Sequence, residues 1–446
     1  MQPDSPPASR RGPRFFYGWL IVAAGFAANV AYSEQFNSTY GVFIAHVGAD
    51  TGWGRTALAG VKTVARLPES AMAAFIGPVV DRYGARWLMV GGGIVMAASF
   101  MALAAVQELW QLFLILGVIM PLGAVCLGGF VTTVAVANWF VLKRGRAIGI
   151  MGMGGSFGTM LLPVAAGLMI EAWSWRLAWF AMGVGVLLLI IPAAIFVRRR
   201  PEDLGLQPDG VDQSTEGTAP TLSADQSRRR EALLAADVVW SRRDIVRSPL
   251  LWIMASAWGF QTFAITATNV HMVPFFHDLG APLMVAAAAV SLRSGIALVA
   301  HPAWGYLVDR VPIKPLASLQ FVLTAAGIAM WLLPPSIPAI ILGLALFGLG
   351  GSGGAVVSEM IWSGFYGRLS LGAVRGIAYP VQNVLGAFGP LGVGLLYDLS
   401  GNYASAFVVM AVGSIFAAGL VQLARAPKPP AGRSTTDVPL DVGGAR

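Results

Sequence analysis

Lys62 and Arg66 lie four residues apart and Glu69 three further on, so all three share one face of a helix inside an otherwise apolar stretch. Each charge held near a bilayer centre costs roughly 2.5–3.5 kcal/mol on insertion scales, so this face is expected to line a polar cavity or to pair internally. Pro68 cannot donate to the carbonyl of Val64, which adds a free acceptor beside the charges. Glu34, Arg293, His301 and Glu359 fall in other apolar stretches. Lys62, Arg66 and Arg293 balance Glu34, Glu69 and Glu359 when all are ionised, and a proton on one acid leaves the set positive and receptive to an anion. Arg66, Arg293, Lys62 and His301 are therefore the candidate substrate ligands. Glu34, Glu359 and Glu69 are the candidate proton carriers. Arg293 has no acid within a turn of its own helix, and its planar fork suits a carboxylate. Two readings stay open for Glu69, a carrier or a structural partner of Arg66 or Lys62. His301 is either a titrating group or a neutral ring bonded to a backbone carbonyl, and His271 reads as packing at the outer mouth.

Other chemistries find no support. The runs Gly149–Gly158 and Gly348–Gly354 have neither the strand–turn–helix setting nor the following Lys-Ser/Thr of a nucleotide site, and read as close helix packing. There is no His/Cys cluster at metal spacing and no nucleophile–base pair, so the expectation is no enzyme, no metal and no cofactor. The single Cys126 excludes a disulfide framework.

The elements that must position these residues are membrane helices. The chain is 56% hydrophobic and 12% charged, with 54 Gly among 446 residues. Twelve apolar spans fit residues 17–44, 55–80, 87–106, 110–140, 146–170, 176–197, 249–272, 282–308, 315–333, 338–364, 375–397 and 404–424. Residues 1–14 form a polar N-terminal tail, 15–197 a first six-helix half, 198–248 a linker, 249–424 a second half and 425–446 a C-terminal tail. The linker's stretch 225–247 is expected to form an amphipathic helix on the membrane surface. The net charge of +8 does not point to nucleic acid, because the basic residues cluster between spans. With both termini cytoplasmic, 25 of the 30 Lys and Arg lie on that side and only Arg55 and Arg176 lie outside. An Arg-rich balance of 26 Arg to 4 Lys suits a bacterial inner membrane.

An internal repeat divides the chain. Gly77-Pro-Val-Val-Asp81-Arg82-Tyr-Gly84-Ala-Arg86 is answered 228 residues later by Gly305-Tyr-Leu-Val-Asp309-Arg310, and Pro163, Gly167 and Phe180 are answered at 227 by Pro390, Gly394 and Phe407. The doubled G-x-x-x-D-R resembles the signature loop of the major facilitator superfamily. The resemblance implies an all-α membrane protein of twelve transmembrane helices in two pseudo-symmetric six-helix halves. It further implies a mechanical role for both motifs. Asp81 would sit at the start of span 11, taken from Arg375, and Asp309 at the start of span 5, taken from Arg146. These contacts would hold the cytoplasmic side shut. Gly77, Asp81, Arg82, Gly84, Arg86, Gly305, Asp309, Arg310, Arg146 and Arg375 are thus the expected gate.

A narrower resemblance, to bacterial relatives of the monocarboxylate and oxalate porters, rests on several short motifs. These are Phe16-Tyr17-Gly18-Trp19, Gly41-Val42-Phe43, Gly52-Trp53-Gly54-Arg55, Trp139-Phe140 before Lys143-Arg144-Gly145-Arg146, and His271-Met272-Val273-Pro274. Where those porters carry an Arg in span 8 this chain has His301, and where the animal porters use a Lys in span 1 it has Glu34. The expectation is a monomeric secondary transporter of a small organic anion, proton-coupled and working by alternating access. Arg66 and Arg293 sit at nearly equivalent depth in the two halves, which favours a dicarboxylate. Rival readings are a nitrate-type porter, a drug exporter or a non-transporting sensor.

Overall fold

The computed structural model describes residues 16–33, 37–210, 240–280, 283–367 and 369–425. All secondary structure among them is helical, as it must be where no water is present to satisfy backbone groups. Span 1 is Gly18–Ser33 followed by Asn37–Thr51, span 2 Arg55–Tyr83, span 3 Ala85–Leu103, span 5 Arg144–Ala172 and span 6 Trp175–Phe196. In the second half, spans 7 to 12 are Pro249–Asp278, Leu283–Val308, Ile313–Met330, Ile337–Tyr366, Leu371–Ser400 and Ala404–Leu423. Eight helical stretches among the described residues are long and apolar enough to cross a membrane by length and composition. Span 2, with Lys62, Arg66 and Glu69 along it, is not among them, as suits a helix facing a polar interior.

Span 4 departs from the expected single rod, and span 2 runs past its expected end. Span 1 is described as Gly18–Ser33 and Asn37–Thr51, with residues 34–36 outside the described residues. Span 4 runs from Leu109 to Trp139 in pieces. A π-helical turn, Ile115–Ile119, stands just before Met120–Val125, where Pro121 cannot donate. The chain then leaves the helix at Cys126–Gly128 and restarts as Gly129–Trp139. Gly128 lies against the Tyr32 ring, where an added Cβ would come within 3.3 Å of it. In span 2 the signature is largely not a loop, since Gly77 to Tyr83 are helical and Gly84 alone turns the chain at φ 81°. No side chain fits there easily, because φ is positive and Arg199 packs 3.0 Å from where a Cβ would stand.

Contacts repeat between the halves. Span 1 packs on span 5 as span 7 does on span 11, span 3 on span 6 as span 9 on span 12, and span 2 on span 4 as span 8 on span 10. The halves meet through span 2 on span 11 and span 5 on span 8, so the arrangement has the pseudo-two-fold symmetry that the repeat predicts. These meetings are closest at the end of the bundle that carries the basic loops. Gly149 of span 5 backs onto span 8, where a Cβ would lie 2.6 Å from the His301 carbonyl.

The described parts of the linker hold both halves. Asp209, at φ 64°, accepts from the amides of Val141 (3.1 Å), Leu142 (2.8 Å) and Lys143 (3.2 Å) at the turn before span 5. Of the expected surface helix only its last part is described. It forms Arg242–Arg247, capped by Ser241, while residues 225–239 lie outside the described residues.

Candidate functional site

Span 2 positions the central cluster. Glu69, 4% exposed, lies midway along the helix. Its Oε2 is 3.7 Å from the Arg66 guanidinium, and its Oε1 accepts from the hydroxyls of Tyr32 (2.7 Å) and Tyr379 (3.1 Å). Tyr32 belongs to span 1 and Tyr379 to span 11, so one carboxylate ties the two halves together. The Phe130 ring stacks on Tyr379 at 6.3 Å and closes the side towards span 4. Lys62 points its Nζ at the Tyr40 ring, 5.0 Å from the centroid.

Arg66 and Arg293 are not equivalent, contrary to the two-anchor expectation. Arg66 has a resident carboxylate, whereas Arg293 has no ion pair among the described residues. The Arg293 Nε is buried without a hydrogen-bond partner, and its guanidinium faces the Phe347 ring 6.0 Å away. A buried donor left in that state is costly unless a ligand or water completes it.

One further acid and two histidines can be placed. Glu359 is no lone carboxylate, since its Oε1 is 2.7 Å from an Arg375 Nη, with both residues buried. Arg375 also donates to Gln382 at 3.3 Å. This corrects the placing of Arg375 at Asp81, because span 11 starts a turn earlier than expected, at Leu371. His301 is buried where spans 5 and 8 meet. Its Nδ1 is 2.6 Å from the Ala297 carbonyl, which can only accept, so Nδ1 carries the proton. Its contacts are those of a packing histidine. His271 contacts the Pro390 carbonyl (3.0 Å) and the Tyr403 hydroxyl (3.3 Å). Glu34 lies outside the described residues.

At the basic end Asp81 accepts from the amides of Gly372 (3.0 Å) and Ala373 (2.9 Å) at the start of span 11. Asp309 accepts from the amides of Gly145 (2.8 Å) and Arg146 (3.1 Å) and from Arg146 Nε (3.3 Å). Each acid thus meets the positive end of a helix in the other half. Burial pushes the Asp309 carboxyl above the ordinary aspartate range, against those amides and the Arg146 guanidinium, which favour the anion. Arg82, Arg86 and Arg310 lie instead over their neighbours Tyr83, Trp87 and Tyr306. Two contacts here had no sequence signal. Arg199 donates to the Asp81 carbonyl (2.7 Å), and Arg242 of the linker helix donates to the Ala74 carbonyl (2.7 Å), the one that Pro78 leaves without its helical donor. Tyr32 and Tyr379 were missed for a related reason, because a tyrosine in an apolar span is unremarkable until its hydroxyl's partner is known.

The sequence model of the Major Facilitator Superfamily matches residues 20–316 and 261–442. Monocarboxylate transporter 12 of Rattus norvegicus is 23% identical over 431 residues, covering 92% of this chain and 86% of that protein. Monocarboxylate transporter 12-B of Danio rerio is 23% identical over 418 residues, 88% of this chain and 83% of that protein. Among solved structures, the proton:xylose symporter XylE superposes with a TM-score of 0.72 at 14% identity, covering 91% of this chain and 95% of that one. The human organic anion transporter MFSD10 gives 0.64 at 14% identity, covering 92% and 100%. These two show a shared fold. With both halves matched, the chain belongs to the major facilitator superfamily and is a membrane transporter that resembles the monocarboxylate transporters.

Proposed function

We propose that the protein is a secondary transporter that moves a small carboxylate together with protons by alternating access, with its basic loops on the cytoplasmic side of a bacterial inner membrane. The observation that carries this reading is Arg293, a half-buried arginine in span 8 whose buried Nε is unpartnered and which has no carboxylate partner among the described residues. A substrate carboxylate supplies the missing acceptor. Because Glu69 occupies Arg66, the site in this state has one free anchor, which favours a monocarboxylate over the dicarboxylate that two free arginines would suit. The curated relatives, named as monocarboxylate transporters, support the same class.

Glu69 supplies the coupling. A proton on Glu69 cancels its attraction for Arg66 and frees that guanidinium for the incoming anion, so proton and substrate bind together. Glu359, paired with Arg375 inside the second half, is the weaker carrier. Uptake of labelled pyruvate or lactate into liposomes holding the purified protein tests the reading. Accumulation should follow an inward proton gradient and collapse with it, and a protein that moves neither acid under any gradient removes the proposal. A thermal-shift panel of mono-, di- and tricarboxylates and nitrate separates the substrate classes, since ligand at 100 times its Kd adds about 2.7 kcal/mol.

The two aspartates at the basic end act in this reading as the cytoplasmic latch. Asp81→Asn and Asp309→Asn keep the side-chain shape but lose the charge that faces the helix N-termini. Each should move the population towards a state open at the basic end. Spin-label distances across that mouth report it, and distributions like the wild type in both variants would remove the latch.

A further inference from the structure

Oε1 of Glu69 receives two phenol hydrogens, and the two donors differ in where they are anchored. Tyr32 stands on span 1, in the same half as Glu69, while Tyr379 stands on span 11 in the other half. The hydroxyls themselves approach to 3.3 Å, so all three groups meet at one point. The ionisable groups facing Glu69 are Arg66 and Lys62 of its own helix, Tyr32 of span 1 and Tyr379 of span 11. Span 4 contributes the apolar Phe130 ring against Tyr379. Prolines adjoin both partners, Pro68 next to Glu69 and Pro380 next to Tyr379, so each helix lacks a backbone donor where it makes this contact.

We propose that Tyr379 is the residue through which the charge on Glu69 controls the contact between the halves, an inference that rests on Glu69 being the proton carrier. An ionised Glu69 is acceptor-only and holds both hydroxyls on one oxygen. The Tyr379 bond is then charge-assisted and clamps span 11 onto span 2. When a proton from the cavity water forms an O–H bond on Glu69, the carboxyl becomes neutral and the clamp drops to an ordinary hydrogen bond. Arg66 is released in the same step. Opening at the basic end becomes easier, and the proton can leave to water on that side, which restores the anion. Tyr32 makes the shorter bond, 2.7 Å against 3.1 Å, but to a carboxylate of its own half, so it orients that carboxylate and reaches the other half through the Tyr379 hydroxyl. Tyr379 is thus a positioning residue for the transport cycle, and losing it uncouples pH from conformation.

The test needs no substrate. Cysteines replacing Lys143, exposed just before span 5 of the first half, and Arg247, exposed at the end of the linker helix that leads into span 7 of the second, carry spin labels in lipid nanodiscs, and the native Cys126 is buried. Distances are read at about pH 8 and about pH 5, a roughly thousandfold change in proton activity. In the wild type the separated population should rise several-fold as the pH falls. Glu69→Gln and Tyr379→Phe should both show the separated population at high pH and stop responding, while Tyr32→Phe, which leaves the Tyr379 bond to Glu69 in place, should still separate as the pH falls. If Tyr379→Phe responds normally and Glu69→Gln does not, the carrier stands and the role of Tyr379 is overturned. If Glu69→Gln also responds normally, the carrier itself falls, and a wild type with one distance at every pH removes both.

Discussion

Arg293→Gln is expected to abolish carboxylate uptake while leaving a folded protein. The reasoning is a comparison of what each state loses. In the resting protein the Arg293 guanidinium makes no ion pair among the described residues, and its buried Nε is unpartnered, so neutralising it breaks no ion pair described there and removes a partly desolvated charge. In the loaded protein the same change removes the charged hydrogen bonds to the substrate, each worth about 1.5–3 kcal/mol. Two such bonds amount to roughly a hundredfold or more in affinity at about 1.4 kcal/mol per tenfold. Arg293→Lys should rescue poorly, because the ammonium is a point charge without the fork. Uptake and thermal unfolding are measured on the same samples. Normal uptake by Arg293→Gln would place the anion elsewhere, whereas a large loss of stability would mark Arg293 as structural.

Arg375→Leu is expected to do the reverse, with its main effect on stability. Arg375 and Glu359 form a buried pair at 2.7 Å, both under a tenth exposed, and removing one partner strands the other in a low-dielectric interior. Breaking such a pair typically costs about 3–5 kcal/mol, much more than the pair itself contributes. The double variant Glu359→Met, Arg375→Leu should therefore recover a large part of what the single change loses. Thermal unfolding of the three variants in detergent decides this. Equal losses in the single and double variants would mean that the pair is not the source of the effect. Glu359→Gln keeps the shape and should leave proton-driven uptake largely intact, in contrast to Glu69→Gln.

The sequence by itself determined the class of the protein and its frame. Apolar spans of membrane length leave the backbone no option but helix, and the doubled G-x-x-x-D-R announces two related halves. The contacts of Asp81 and Asp309 with opposite helix starts were legible through the resemblance that the doubled motif carries, which implies them. Tertiary structure alone decided which charges pair. Glu69 stands three residues from Arg66 and also within reach of two tyrosines, one of them 310 positions away, and nothing local says that both bond to it. The sequence already set Glu69 three residues after Arg66 and no acid near Arg293, but whether Glu69 took up Arg66 or Lys62 was left to the structure, which puts it 3.7 Å from Arg66. Glu359 and Arg375 meet only because spans 10 and 11 bring them together, so both read as isolated charges in the chain. The break in span 4 is hidden from the sequence for a different reason. Hydropathy reports residence in the membrane, whereas helix continuity depends on Pro121, on Gly128 against Tyr32 and on which neighbours can accept a displaced backbone. Pairing energies fall steeply with distance, and distance between remote residues is a property of the folded chain.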